Sequence, residues 1–174
     1  MPIWPFKRSR ADGDAELLLE AVIRASRQPA LFGEGRAPDT LEGRFEVVAL
    51  HAGLALVRLQ EEPGAETLTQ AFTDKLFRHL DAGLREDGVG DLVVPKRMRK
   101  LAGAFYGRLE AYAAALRTED SPALAAAIGR NVLGVEGASF AGDVAVHLRR
   151  LADQQAKAEI SALLGDAGWP AYPV

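Results

Sequence analysis

Cysteine is missing from all 174 residues. Its absence excludes disulfides, thiolate nucleophiles and Cys-ligated zinc or iron–sulfur sites. Histidine is scarce: His51, His79 and His147 are the only three, and none has a second histidine four residues away to share a metal. Long apolar runs are missing too. The most apolar stretch, Val47 to Val57, is interrupted by His51 and falls well short of the roughly 20 residues that cross a bilayer. It reads as a buried helix, with His51 a satisfied core histidine. No apolar segment follows the N-terminal charges, so no secretory signal is expected and the cytoplasm is the expected compartment. Lys and Arg number 21 against 24 Asp and Glu, a formal net charge of −3. A bulk-basic surface for nucleic acid is thereby excluded, and any basic site must be local.

Enzyme signatures are equally sparse. Gly137-Ala-Ser139-Phe-Ala-Gly142 misses the nucleophile-elbow spacing by one residue and has no strand before it. Neither Gly33-Glu-Gly35 nor Gly88-Val-Gly90 continues into a phosphate or dinucleotide loop. No catalytic residue, metal or cofactor is expected.

Helical periodicity is what fills the chain. A first helix is predicted over about Asp14 to Arg27, with Leu17, Leu18, Val22 and Ala25 on one face. Asp39 with Glu42 suggests a capping box opening a second helix, apolar on every side near its middle and so central. Thr67 with Gln70 suggests another, opening a third helix that ends near Arg85. Pro95 suits the first turn of a fourth helix carrying Met98, Leu101, Phe105, Leu109, Tyr112 and Leu116. Ser121-Pro122 begins a fifth helix ending near Gly134. Ser139 caps a sixth that carries Val144, Leu148, Leu151, Gln155 and Leu163. Leu92-Val93-Val94 is the only strand-like run. The expected fold is all-α, an irregular bundle of about six helices in one domain over residues 14–165. Residues 1–13 are expected to be a flexible N-terminal tail and residues 166–174 a C-terminal tail.

Two places carry candidate binding chemistry. In the first tail, Trp4 and Phe6 lie beside Lys7, Arg8 and Arg10, a combination that suits an anionic membrane surface. The second place is Leu76 to Tyr112. There Gly88 can take the left-handed conformation that stops a helix, an apolar connector follows, and the next helix opens with Lys96, Arg97, Arg99 and Lys100. Cations at a helix N-terminus oppose the macrodipole at about 0.3–1 kcal/mol each. Either an anionic partner or the nearby Glu86, Asp87 and Asp91 must offset them. Gly103 and Gly107, four apart on this helix, allow close helix approach.

The same block carries a resemblance. Leu84-Arg85-Glu86, Gly88-Val89-Gly90-Asp91, Val94-Pro95-Lys96-Arg97 and Phe105-Tyr106-Gly107-Arg108 through Tyr112 resemble the signature of ubiquinol–cytochrome c chaperones. Asp39-Thr-Leu-Glu-Gly-Arg44-Phe45 is similar to the family's early helix start. The likeness runs from about Gln28 onward. It departs at the ends, with no mitochondrial targeting extension and an unmatched tail at Trp169 to Val174, which suggests a bacterial-type member.

The resemblance implies a non-catalytic chaperone for assembly of respiratory complex III. Mitochondrial relatives engage newly made cytochrome b and work beside the ribosome with a small partner subunit. The expected client is therefore cytochrome b or another complex III subunit. Expected partner-binding residues are Arg85, Glu86, Asp91, Lys96, Arg97, Lys100 and Arg108. Phe72, Leu76, Phe105 and Tyr106 are candidates for an apolar groove, with core membership as their competing role. The alternative is a helical nucleic-acid- or ribosome-contacting domain using residues 96–100.

Overall fold

A computed structural model describes residues 9–118 and 121–173. Six α-helices make up the frame: α1 (Arg10–Ser26), α2 (Leu41–Gln60), α3 (Glu66–Glu86), α4 (Val94–Arg117), α5 (Ser121–Ile128) and α6 (Ser139–Ala156). No strand occurs among the described residues, as expected for an all-α chain. α5 runs directly into a π-turn at Gly129–Leu133, which ends on Gly134 in the left-handed region. Short 3-10 turns follow α6 at Ile160–Leu164 and Asp166–Gly168.

α2 is the centre. Fifteen of its twenty residues are buried, and it touches α1, α3, α4 and α6. A helix that is apolar on all sides can be stable only in that position. The largest fully buried side chains around it include Leu18, Phe72, Leu76, Phe105, Tyr112 and Leu148. Arginines tie the helix ends together. Arg58 donates to the carbonyls of Gln155 (2.8 Å) and Ala158 (3.1 Å) where α6 ends. Arg149 donates to those of Ala115 and Leu116 near the end of α4. Last-turn carbonyls have no partner within their helix, and these guanidiniums supply one.

Several helix starts differ from those read in the sequence. α1 begins at Arg10, capped by the Ser9 hydroxyl, which accepts from the Asp12 amide at 3.1 Å. The cap of α2 is Thr40, whose hydroxyl accepts from the Gly43 amide at 3.1 Å, while Asp39 pairs with Arg44 instead. α3 starts at Glu66 with no side-chain cap, and Gln70 donates to Asp74. α6 also lacks a side-chain cap, and it ends at Ala156, before Leu163.

The end of α3 follows expectation. Gly88 has φ +80°, with Gly88 N–H donating to Arg85 and Val89 N–H to Leu84, the paired bonds of a Schellman stop.

Residues 166–173 do not form a tail. Trp169 and Tyr172 are buried, the Trp169 indole donating to the Leu163 carbonyl at 2.9 Å. The Gln155 amide donates to Gly168, and the Tyr172 amide donates to Gln28 at 2.7 Å. Tyr172 meets the His147 and Phe140 rings edge-on. Two prolines and no helical period hid this strap, although its Trp and Tyr gave a compositional hint.

His51 is buried as expected but only half satisfied. Its Nδ1 lies 2.9 Å from the Val47 carbonyl. A carbonyl can only accept, so Nδ1 carries the proton, leaving Nε2 as an acceptor without a partner among the described residues.

Candidate functional site

A groove of about 790 Å³ opens between α2, α3 and α4, beside the turn after α1. Phe45 and Val48 from α2, Leu80 and Leu84 from α3, and Leu101 and Ala104 from α4 supply its apolar lining. Charged residues of both signs share that lining: Arg97 and Lys100, Glu86 and Asp87, and the Asp39–Arg44 pair at 2.7 Å. Positions 97, 100, 101, 104 and 108 fall on one face of α4 because they repeat at three and four residues.

Deeper in the groove, Arg108 clasps Glu46 through two nitrogens. The Glu46 side chain is 12% exposed and that of Arg108 21%. Arg108 also donates to the Ala104 carbonyl at 3.0 Å and lies 5.7 Å from the centre of the Phe45 ring. Burial pushes the Glu46 carboxyl above its usual range, and the Arg108 guanidinium works against that shift. A fork-to-fork pair of this kind fixes orientation as well as charge. Arg108 therefore serves the architecture of the groove wall. Sequence reasoning missed Glu46, although a lone carboxylate inside the apolar run of α2 was its visible signal.

The seven residues expected to bind a partner divide into three groups. Glu86, Arg97, Lys100 and Arg108 line the groove. Arg85 and Asp91 lie outside that lining and pair with each other, Arg85 also bonding Asp81 at 2.7 Å. Both are exposed, so the pair contributes little to stability. It bridges the end of α3 and the α3–α4 connector. Lys96 stands apart from the groove.

The neighbouring acids Glu86, Asp87 and Asp91 do not pair with the cationic cluster among the described residues. Among the described residues no ion pair within 4.0 Å engages Lys96, Arg97, Arg99 or Lys100. The first turn of α4 contains no acid.

The apolar candidates are mostly core. Phe72, Leu76 and Phe105 are buried to within 1% of complete and offer no surface to a client. Tyr106 alone is open, at 52%, resting against Phe77 and Phe105. Of the expected membrane-anchor residues, Trp4, Phe6, Lys7 and Arg8 lie outside the described residues. Arg10 sits in the first turn of α1, 3.7 Å from Asp14. No helix of the described residues is long and apolar enough to cross a membrane. No cluster of three or more metal-ligating side chains occurs among them either.

The fold defines a class: a single all-helical domain, here with a groove lined by both apolar and charged side chains. The chain belongs to the ubiquinol-cytochrome C chaperone family, whose model matches residues 34–164. It is also similar to the crystal structure of the Cbp3 homolog from Brucella abortus. The identity is 38% and the TM-score 0.80, over 96% of this chain and 93% of that one. None of the curated proteins matches. The family supports a role in complex III assembly.

Proposed function

We propose that this protein is a non-catalytic assembly chaperone that holds a cytochrome b-like segment in the α2–α3–α4 groove until the segment is built into complex III. The observation that carries this reading is the groove itself, where Arg97 and Lys100, without an ion pair among the described residues, share the lining with half-buried Leu80 and Leu101. An amphipathic client helix can place its apolar face on those leucines and its polar side against the charges. The family match supplies the setting, and complex III subunits are the clients it favours.

A nucleic-acid or ribosome contact through residues 96–100 has less support. Arg97 and Lys100 share the groove lining with Glu86 and Asp87, so the lining lacks the uniformly cationic character that phosphates favour. A photoreactive amino acid at Ala104 tests the proposal directly. In cells making complex III, it should cross-link to a membrane-embedded subunit, cytochrome b first. The same group at exposed Ala82, outside the groove, should not. Cross-links from Ala104 to RNA or ribosomal protein alone would contradict it.

A further inference from the structure

The four cations at the start of α4 do not act as one patch. Arg97 and Lys100 line the groove, together with the acids Glu86 and Asp87. Lys96 and Arg99 do not line it; both are exposed, on the face that also carries exposed Gly103 and Tyr106. Above them stands the connector, where Leu92 is 98% exposed and Val93 47%. A leucine that exposed has almost nothing packed around it.

The connector nevertheless has defined geometry. Val93 and Val94 N–H groups donate to the Gly90 carbonyl at 2.8 and 3.2 Å, Val89 N–H donates to Leu84, and Asp91 is pinned by Arg85. The fold thus presents Leu92 at the tip of a fixed turn, with cations within the next two helical turns.

We infer that this tip docks on an anionic lipid surface, Leu92 and Val93 entering the interface while Lys96 and Arg99 meet the headgroups. Charge complementarity selects the partner. Asp91 is exposed but paired with Arg85, and Glu86 and Asp87 lie on the groove side, so among the described residues the charges without an ion pair on the outward face are those of Lys96 and Arg99. Shape selects it as well. A protruding leucine needs a matching pocket on a protein partner, whereas acyl chains surround it without one. Docked this way, the groove with Arg97 and Lys100 opens beside the bilayer.

Vesicle co-sedimentation of the full chain tests the inference. Vesicles of phosphatidylglycerol and phosphatidylcholine in equal parts should bind the protein, and phosphatidylcholine alone should bind it much less. Leu92→Asp should weaken binding to the anionic vesicles about tenfold or more. Lys96→Glu with Arg99→Glu should weaken it at least roughly twentyfold, given about fivefold per cation. Leu17→Asp, on a half-exposed leucine of α1, should change little. Since Leu92 touches almost nothing, a melting temperature equal to the parent's confirms that the fold is intact. Three outcomes overturn the inference. They are equal binding by Leu92→Asp and the parent, an equal loss in Leu17→Asp, and failure of the parent to bind anionic vesicles, which would leave the tip to an acidic protein partner.

Discussion

Glu46 and Arg108 stand 62 positions apart in sequence and meet in the groove wall, largely out of water. Removing one member of such a pair strands the other's charge, a loss of about 3–5 kcal/mol. Arg108→Ala should therefore lower the unfolding free energy by that amount, read as a lower urea midpoint with an unchanged slope. The double substitution Glu46→Leu with Arg108→Leu should recover much of it. A loss in Arg108→Ala no larger than that of an exposed pair would show that water reaches Glu46.

His51 makes a second testable claim. Burial lowers its pKa from 6.5 to about 4, so the folded state resists a proton that the unfolded chain accepts. Stability is then full above about pH 6.5 and falls as the pH drops toward 4, by roughly 3 kcal/mol in all. Burial lowers the His79 and His147 values as well, in the same sense. Melting temperatures between pH 7 and 4.5 should fall more steeply for the parent than for His51→Gln. Parallel curves would mean that His51 is not the group responsible.

At the level of the helices, the early glycine of α2 has a structural explanation. A Cβ on Gly43 would lie 2.0 Å from the Pro38 carbonyl oxygen, a backbone atom that cannot swing aside. The chain turns so tightly into α2 that only glycine fits. Gly43→Ala should cost about 1–3 kcal/mol or more, seen as a lower melting temperature; an unchanged value would mean the turn is looser than this.

All six helices were legible, the third and fifth from their opening residues and the others with apolar spacing as well, and the Schellman stop at Gly88 from its glycine. Their first residues were less so. Asp39 and Thr40 are adjacent candidates for one cap, and only geometry decides that Thr40 reaches the Gly43 amide while Asp39 turns to Arg44. The groove was half legible. The cations of α4 were visible as misplaced charges, but which two line the groove depends on the neighbouring helices. Phe72, Leu76 and Phe105 share the apolar spacing of a groove and of a core, and spacing alone cannot separate the two. The 166–173 strap was invisible because its contacts are made by an irregular backbone with no period.

For the molecule as a whole, the fold packs an apolar core beside the α2–α3–α4 groove and leaves Arg97 and Lys100 in its lining without an ion pair among the described residues. Arg108 belongs to the wall, whereas Arg97 and Lys100 have no ion pair among the described residues, and Arg97 in the first turn opposes the α4 macrodipole. Their reversal should leave the fold intact or slightly stabilise the helix. The most direct test is therefore Arg97→Glu with Lys100→Glu in cells that depend on this protein, measuring assembled complex III and the abundance of the chaperone together. The account predicts a clear fall in complex III with the chaperone at parental abundance, since a folding defect would deplete both. A stable, abundant variant supporting normal complex III levels would contradict it.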